Sequence, residues 1–167
     1  ITGNYSNMWG SYNVSTENYS TIFGNYGKSI YPGQFVLSTR AIDDITNGSS
    51  QYSKVILDGY LAAGGQFDLT PQNNGNNLAL EDGKSYDMTI RVLVVNTNGT
   101  PTCARFVVDI LAHCESGTLT LDVINTTIAN DNGTGWTISL STSGNELIVR
   151  VDSSGVLNRR AIATVDW

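Results

Sequence analysis

From Gln34 onward, apolar and polar residues alternate. Lys84 to Asn96 sets Tyr86, Met88, Ile90, Val92 and Val94 against Asp87, Thr89 and Arg91. Thr102 to His113 does the same, with Ala104, Phe106, Val108, Ile110 and Ala112 against Arg105, Asp109 and His113. A period of two is the pattern of a strand with one face in a core. Shorter stretches repeat it: Gln34 to Ile42, Ser53 to Leu57, Thr118 to Ile124, Trp136 to Leu140, Asn145 to Val151 and Arg159 to Trp167. Between them lie turn formers, including Asp58-Gly59, Thr97-Asn98-Gly99-Thr100-Pro101, Asn130-Asp131-Asn132-Gly133, Thr142-Ser143-Gly144 and Ser153-Ser154-Gly155. No stretch keeps a helical period with caps. Seven or eight strands at this spacing predict an antiparallel β-sandwich, jelly-roll-like, over residues 34–167.

The first 33 residues have a different pattern, a duplication with a period of 14. The segment Asn4 to Glu17 aligns with Asn18 to Tyr31, and Asn, Tyr, Ser, Gly, Tyr and Ser recur at six of fourteen positions. Met8-Trp9 against Ile22-Phe23 keeps two more apolar. The unit reads as a short strand, a turn at Gly, a second short strand and a second turn. One such coil cannot bury its own apolar side, and about three are needed for stability. Two are visible, so the buried face is expected to be completed by upstream coils of a longer parent or by neighbouring copies. A chain that starts at Ile1 and not Met fits a fragment or processed product.

Composition narrows the class of protein. With 167 residues, 40% hydrophobic and 14% charged, the chain is one ordinary domain, or one plus an appendage, and neither disordered nor a coiled coil. A net charge of −6 leaves no electrostatic footprint for nucleic acid or an anionic membrane, and no apolar run reaches the length of a membrane span. Cys103 and Cys114 bracket a run without turn residues, which as a strand holds the thiols about 36 Å apart. That separation rules out an intrachain disulfide and a zinc site shared with His113.

Catalytic signatures are missing too. His113 is the single histidine, and there is no G-x-S-x-G, P-loop or dinucleotide fingerprint. Asn130-Asp131-Asn132 lacks the distant Glu of a calcium loop. Asp87 and Asp109 share a strand face with Arg91 and Arg105, which predicts a cross-strand charge lattice and not a catalytic carboxylate pair. No catalytic residue, metal or cofactor is expected.

Aromatic and amide side chains are the better lead, because sugar rings pack on exposed Tyr and Trp while amides bond their hydroxyls. The candidate ligand-binding residues are Tyr52, Tyr60, Gln72, Asn73, Asn74 and Asn76, with Tyr12, Tyr26 and Tyr31 of the repeat as further platforms. Trp136 and Trp167 lie on apolar strand faces and are assigned to the core.

The unit Asn-Tyr-Ser-x-x-x-Gly-x-Tyr resembles the Gly/Ser-rich head repeats of trimeric viral fibre and tailspike proteins, in the style of trimeric bacterial adhesin heads. It departs from them in having Met8-Trp9 and Ile22-Phe23 where small residues often precede the Gly. The remainder runs from Gly33-Gln34-Phe35-Val36-Leu37 to Arg159-Arg160-Ala161-Ile162-Ala163-Thr164-Val165-Asp166-Trp167, and is similar in layout to the terminal domain of phage tail fibres. The resemblance implies an all-β homotrimer on the virion surface, non-enzymatic, whose end domain trimerises the fibre and binds a host cell-surface glycan. A folding cap that binds nothing, and a tailspike depolymerase fragment, are the alternative expectations.

Overall fold

Left-handed corners set the frame of residues 5–38. In the computed structural model, which describes residues 5–38, 51–61, 65–71, 75–97, 102–130, 135–153 and 159–167, Tyr5, Tyr12, Tyr19 and Tyr26 have φ of 58°, 59°, 60° and 59°, and Gly33 follows at 69°. They recur every seven residues. Between them lie β1 (Asn7–Trp9), β2 (Val14–Ser15), β3 (Thr21–Gly24), β4 (Lys28–Ser29) and β5 (Phe35–Ser38). Strand β1 pairs in parallel with β3, β3 with β5 and β2 with β4, always between residues fourteen apart, as in Met8↔Ile22↔Val36. The stack thus reaches a third coil at Phe35–Ser38, beyond the point where the sequence stops repeating.

The interior of this stack is small and partly polar. Ile22 and Val36 are fully buried, as are Ser20 and Ser29. Ser20 Oγ donates to Tyr31 O at 3.2 Å and accepts from Ser29 Oγ at 2.6 Å, and one coil earlier Ser6 Oγ donates to Glu17 O at 2.7 Å and accepts from Ser15 Oγ at 3.4 Å. These buried hydroxyls are satisfied by one another and by carbonyls, so each contributes stability instead of a desolvation cost. Gly10 and Gly24, both at φ 108°, are required: a Cβ on either would run into the carbonyl of the next coil, Gly24 O or Ser38 O. Outside, rings stack along the axis, Trp9 on Phe23 at 4.5 Å and Tyr12 on Tyr26 at 4.8 Å.

Residues 1–56 with Asp166–Trp167 form one unit and Leu57–Val165 another. In the first, β5 pairs antiparallel with the start of β6 (Gln51–Leu61), Phe35↔Lys54 to Ser38↔Gln51. Gln51 extends the stack with its side chain, accepting from Lys28 N at 2.8 Å and donating to Lys28 O at 2.9 Å. Ser53 and Trp167 exchange backbone hydrogen bonds.

The second unit holds the rest of β6 and β7 (Gly65–Pro71), β8 (Leu78–Ala79), β9 (Lys84–Asn96), β10 (Cys103–Glu115), β11 (Thr118–Asn130), β12 (Thr137–Ser143), β13 (Glu146–Ser153) and β14 (Arg159–Asp166). One run of neighbours is β14-β9-β10-β11; β13 takes β12 on one side and β7 and β8 on the other. The pairs β9/β10, β10/β11, β12/β13 and β13/β7 are antiparallel. Alternate residues build the core: Met88, Ile90, Val92 and Val94, then Phe106 and Ile110, then Leu147, Val149 and Val151, then Ala161, Ala163 and Val165. Trp136 is buried, with the Arg159 guanidinium 4.9 Å over its ring.

Several sequence expectations shift. Gly59 is not a turn but lies inside β6, where a Cβ would sit 2.9 Å from both Leu69 Cδ2 and Phe67 Cδ2; glycine is there for close packing. Strand β11 runs past Ile124 to Asn130, and β7 was not anticipated. Asp87 lies opposite Leu111, and Asp109 opposite Thr89, whose Oγ1 donates to it at 2.9 Å. The expected charge lattice therefore has no directly opposed Asp–Arg pair, because the register sets each aspartate across from an uncharged residue. Cys103 and Cys114 are free thiols at opposite ends of β10. The proposed strand end at 39–42 and the turn residues 98–101, 131–133 and 154–155 lie outside the described residues.

Candidate functional site: a groove across three strands

Of the six residues singled out from sequence, Gln72, Asn73 and Asn74 lie outside the described residues. Tyr52, in the first unit, is exposed, and its Oη donates to Asp166 Oδ1 at 3.0 Å, a carboxylate also met by Lys54 Nζ at 3.7 Å. Tyr60, in the second unit, is exposed on β6, and Asn76 is exposed ahead of β8. Among the repeat tyrosines, Tyr12 is exposed but stacked on Tyr26, while Tyr31 is buried edge-on to Trp167.

A concave site forms elsewhere, where β9, β10 and β11 lie side by side. Ser116 and Gly117 make a two-residue turn with φ of 52° and 73°, so Glu115 pairs with Thr118 and the register of β10/β11 is fixed from there. His113 then falls between Ser85 and Thr120, and Leu111 between Asp87 and Asp122. These six side chains share the face away from the core, and with Tyr86 and Ala112 they line a cavity of about 670 Å³.

A β-bulge ends this turn-set register just past the groove. Asp109 pairs with Asn125, yet the next residue, Ile110, pairs with Val123, so Ile124 is the extra residue. Up to Ile110 and Val123 the turn alone sets each partner, Leu111 with Asp122 included; past the bulge the pairing changes, so that Asn125 stands beside Asp109.

Ser85 Oγ lies 2.9 Å from His113 Nδ1, and Glu115 Oε2 3.6 Å from His113 Nε2. The side chain of Leu111 is half-exposed at the centre. Carboxylates accept from hydroxyl or ammonium donors, Ser85, Thr120 and His113 both donate and accept, and Leu111 offers apolar contact. Beneath this face Tyr86 is pushed up to about 12 by burial, its Oη accepting from Glu81 N at 3.0 Å. Burial and the nearby Asp82 carboxylate raise the Cys114 thiol as well. Among the described residues, no group of three His, Cys, Asp or Glu side chains is placed to hold a metal ion.

No protein-family model matches the chain, and no curated protein matches it significantly. Three solved structures are similar to it. The tailspike protein of Acinetobacter phage vB_ApiP_P1 has a TM-score of 0.41 at 12% identity, over 97% of this chain and 38% of that one. The tailspike of Acinetobacter baumannii phage AM24 has 0.41 at 10%, over 87% and 33%. Tailspike gp49 of Acinetobacter baumannii bacteriophage Fri1, a capsular polysaccharide depolymerase, has 0.34 at 8%, over 91% and 30%. The chain therefore spans at most 38% of the length of these three proteins.

Alternation alone places Asp87 and His113 on the outer face. It does not tell which residues stand beside them across the strands. The Ser116-Gly117 turn carries that information, since two residues at a hairpin tip determine the partner of every later residue until the bulge.

Proposed function

We propose that the chain is the attachment part of a viral fibre, carried on the virion surface as a homotrimer, and that it binds a host cell-surface glycan in the β9–β10–β11 groove. In this reading residues 1–33 continue the fibre and residues 34–167 bind and trimerise. The observation that carries it is Leu111 flanked by Asp87 and Asp122, with Ser85, His113 and Thr120 in the next row. An apolar floor bordered by hydroxyl-bonding groups matches a pyranose, which has a C–H face and a polar rim. The repeat's resemblance to fibre heads supports the setting.

A glycan array with the intact chain tests this, using Asp87→Ala, Leu111→Ala, Tyr52→Ala and Tyr60→Ala. Loss of binding in the first two alone supports the groove. Loss in the tyrosine variants alone moves the site to the aromatic residues singled out from sequence, and an array blank at saturating protein supports the folding-cap reading. Light scattering showing a stable monomer at micromolar concentration removes the trimer.

One observation favours a second reading, glycoside hydrolysis. Asp87 and Asp122 sit on strands two apart and present two carboxylates to one groove, the residue pair that glycosidases use. Attachment is preferred because Asp87 and Asp122 are both exposed on an open face, with no apolar pocket around either to set one apart as the general acid. Release of reducing sugar from polysaccharide, abolished in Asp87→Asn and Asp122→Asn, would reverse that preference.

A further inference from the structure

We propose that the groove selects sugars bearing a free amine over their N-acetylated and acidic counterparts; this rests on the glycan reading above. The argument is the sign and placement of charge. Asp87 and Asp122 flank Leu111 from opposite sides, so an ammonium resting over Leu111 lies about 5 Å from the strand on each side and meets a carboxylate in either direction. One row on, Asp109 faces the same way, bonded to Thr89; two rows back, Glu115 reaches His113. The bases on this face are His113, held by Ser85 and Glu115, Arg91, which stands opposite Val107 two rows from Leu111, and Arg105, opposite Leu93 one row further away.

The charges directly beside Leu111 are both carboxylates, and the two arginines lie two and three rows away, so on a chain of net charge −6 the field there draws in cations and repels uronic or sialic acids. N-acetylation removes the attracted charge and adds bulk between the two aspartates. Charge alone would equally suit a basic peptide. The sugar is favoured by the neighbouring row, where Ser85, His113 and Thr120 offer three adjacent donor–acceptor groups to ring hydroxyls, and by the half-exposed Leu111 beneath a ring face.

Calorimetric titration of the intact chain at pH 6 with a glucosamine hexamer, an N-acetylglucosamine hexamer, an oligogalacturonate and tetralysine tests the proposal. We expect the glucosamine oligomer to bind at least ten-fold tighter than the acetylated one, with the difference shrinking in high salt, and the oligogalacturonate not to bind. The isosteric changes Asp87→Asn and Asp122→Asn should erase the ten-fold preference while the melting temperature stays unchanged. Equal affinity for the amine and acetyl forms overturns the proposal and leaves glycan binding standing. Tetralysine binding as tightly as the glucosamine oligomer, lost in the same variants, overturns it in favour of a basic peptide. If none of the sugars binds and the array is also blank, both readings fail together.

Discussion

The two units achieve order by opposite means. In the first, each residue is held by its counterpart one coil away, the interior is thin and partly hydroxyl, and large rings remain outside. In the second, the strands are up to thirteen residues long, pairing is antiparallel, and a continuous apolar core lies on one face. Repetition needs a corner that recurs and a backbone that passes close to the next coil. A packed core needs volume and register. Damage should therefore spread along the axis in the first unit and follow volume in the second.

Glycine 24 offers the sharpest way to break the comparison. Gly24→Ala combines a Cβ at φ 108° with a collision against the Ser38 carbonyl, backbone that cannot move aside, so a loss of roughly 4 kcal/mol or more is expected. Limited proteolysis should cut the repeat while the second unit keeps its melting transition. Phe106→Ala should cost about 3–5 kcal/mol by emptying a fully buried site, with the opposite outcome. Fluorescence of the buried Trp136 would report that melt, and the repeat should stay protected from protease.

Smaller effects sharpen the contrast. Ser20→Ala removes the acceptor of Ser29 Oγ in a buried position, and a loss of about 1–3 kcal/mol in urea unfolding is expected, larger than for an alanine at an exposed serine such as Ser85. Alkaline titration singles out the second unit. Tyr86 and Cys114 hold their protons more tightly when folded, so above the unfolded-state tyrosine range the unfolded chain binds fewer protons, and stability falls as pH rises from about 10 to 12. Allowing for partial exposure of Tyr86, about 1–2 kcal/mol should be lost over that window, and Tyr86→Phe should flatten the curve in pH-dependent denaturation. Tyr19→Gly should change the melting temperature least. Relief of a left-handed tyrosine, about 1–2 kcal/mol, offsets the lost stack on Tyr5 of about 0.5–1.5 kcal/mol.

Legibility differed in the same way. The fourteen-residue offset between Ile22 and its neighbours is visible because identical corners need similar residues. The third coil was hidden, since Gly33 and Gln34 stand where tyrosine and serine stood, and glycine takes the left-handed corner more easily than the residue it replaces. Strands β9 and β10 were legible from period-two alternation. Gly59 misled because punctuation by glycine and close packing at glycine look identical in sequence. The groove was out of reach for a further reason: it depends on who stands beside whom across three strands, which the Ser116-Gly117 turn sets and alternation within one strand does not show. Aromatic content drew attention to the exposed Tyr52 and Tyr60, whereas the outward side chains of the concave surface are Asp, Ser, Thr, His and Leu, with Tyr86 beneath them.

The left-handed corners also make the first unit a ruler. Corners return every seven residues but stacked partners every fourteen, so an insertion of seven would send each strand to the opposite wall of the coil and unpair Met8 from Ile22. An insertion of fourteen would preserve every contact and lengthen the stack by one layer, about 4.8 Å. The repeat can therefore change length only in whole layers, and descendants of this chain that differ in reach should differ by multiples of fourteen residues.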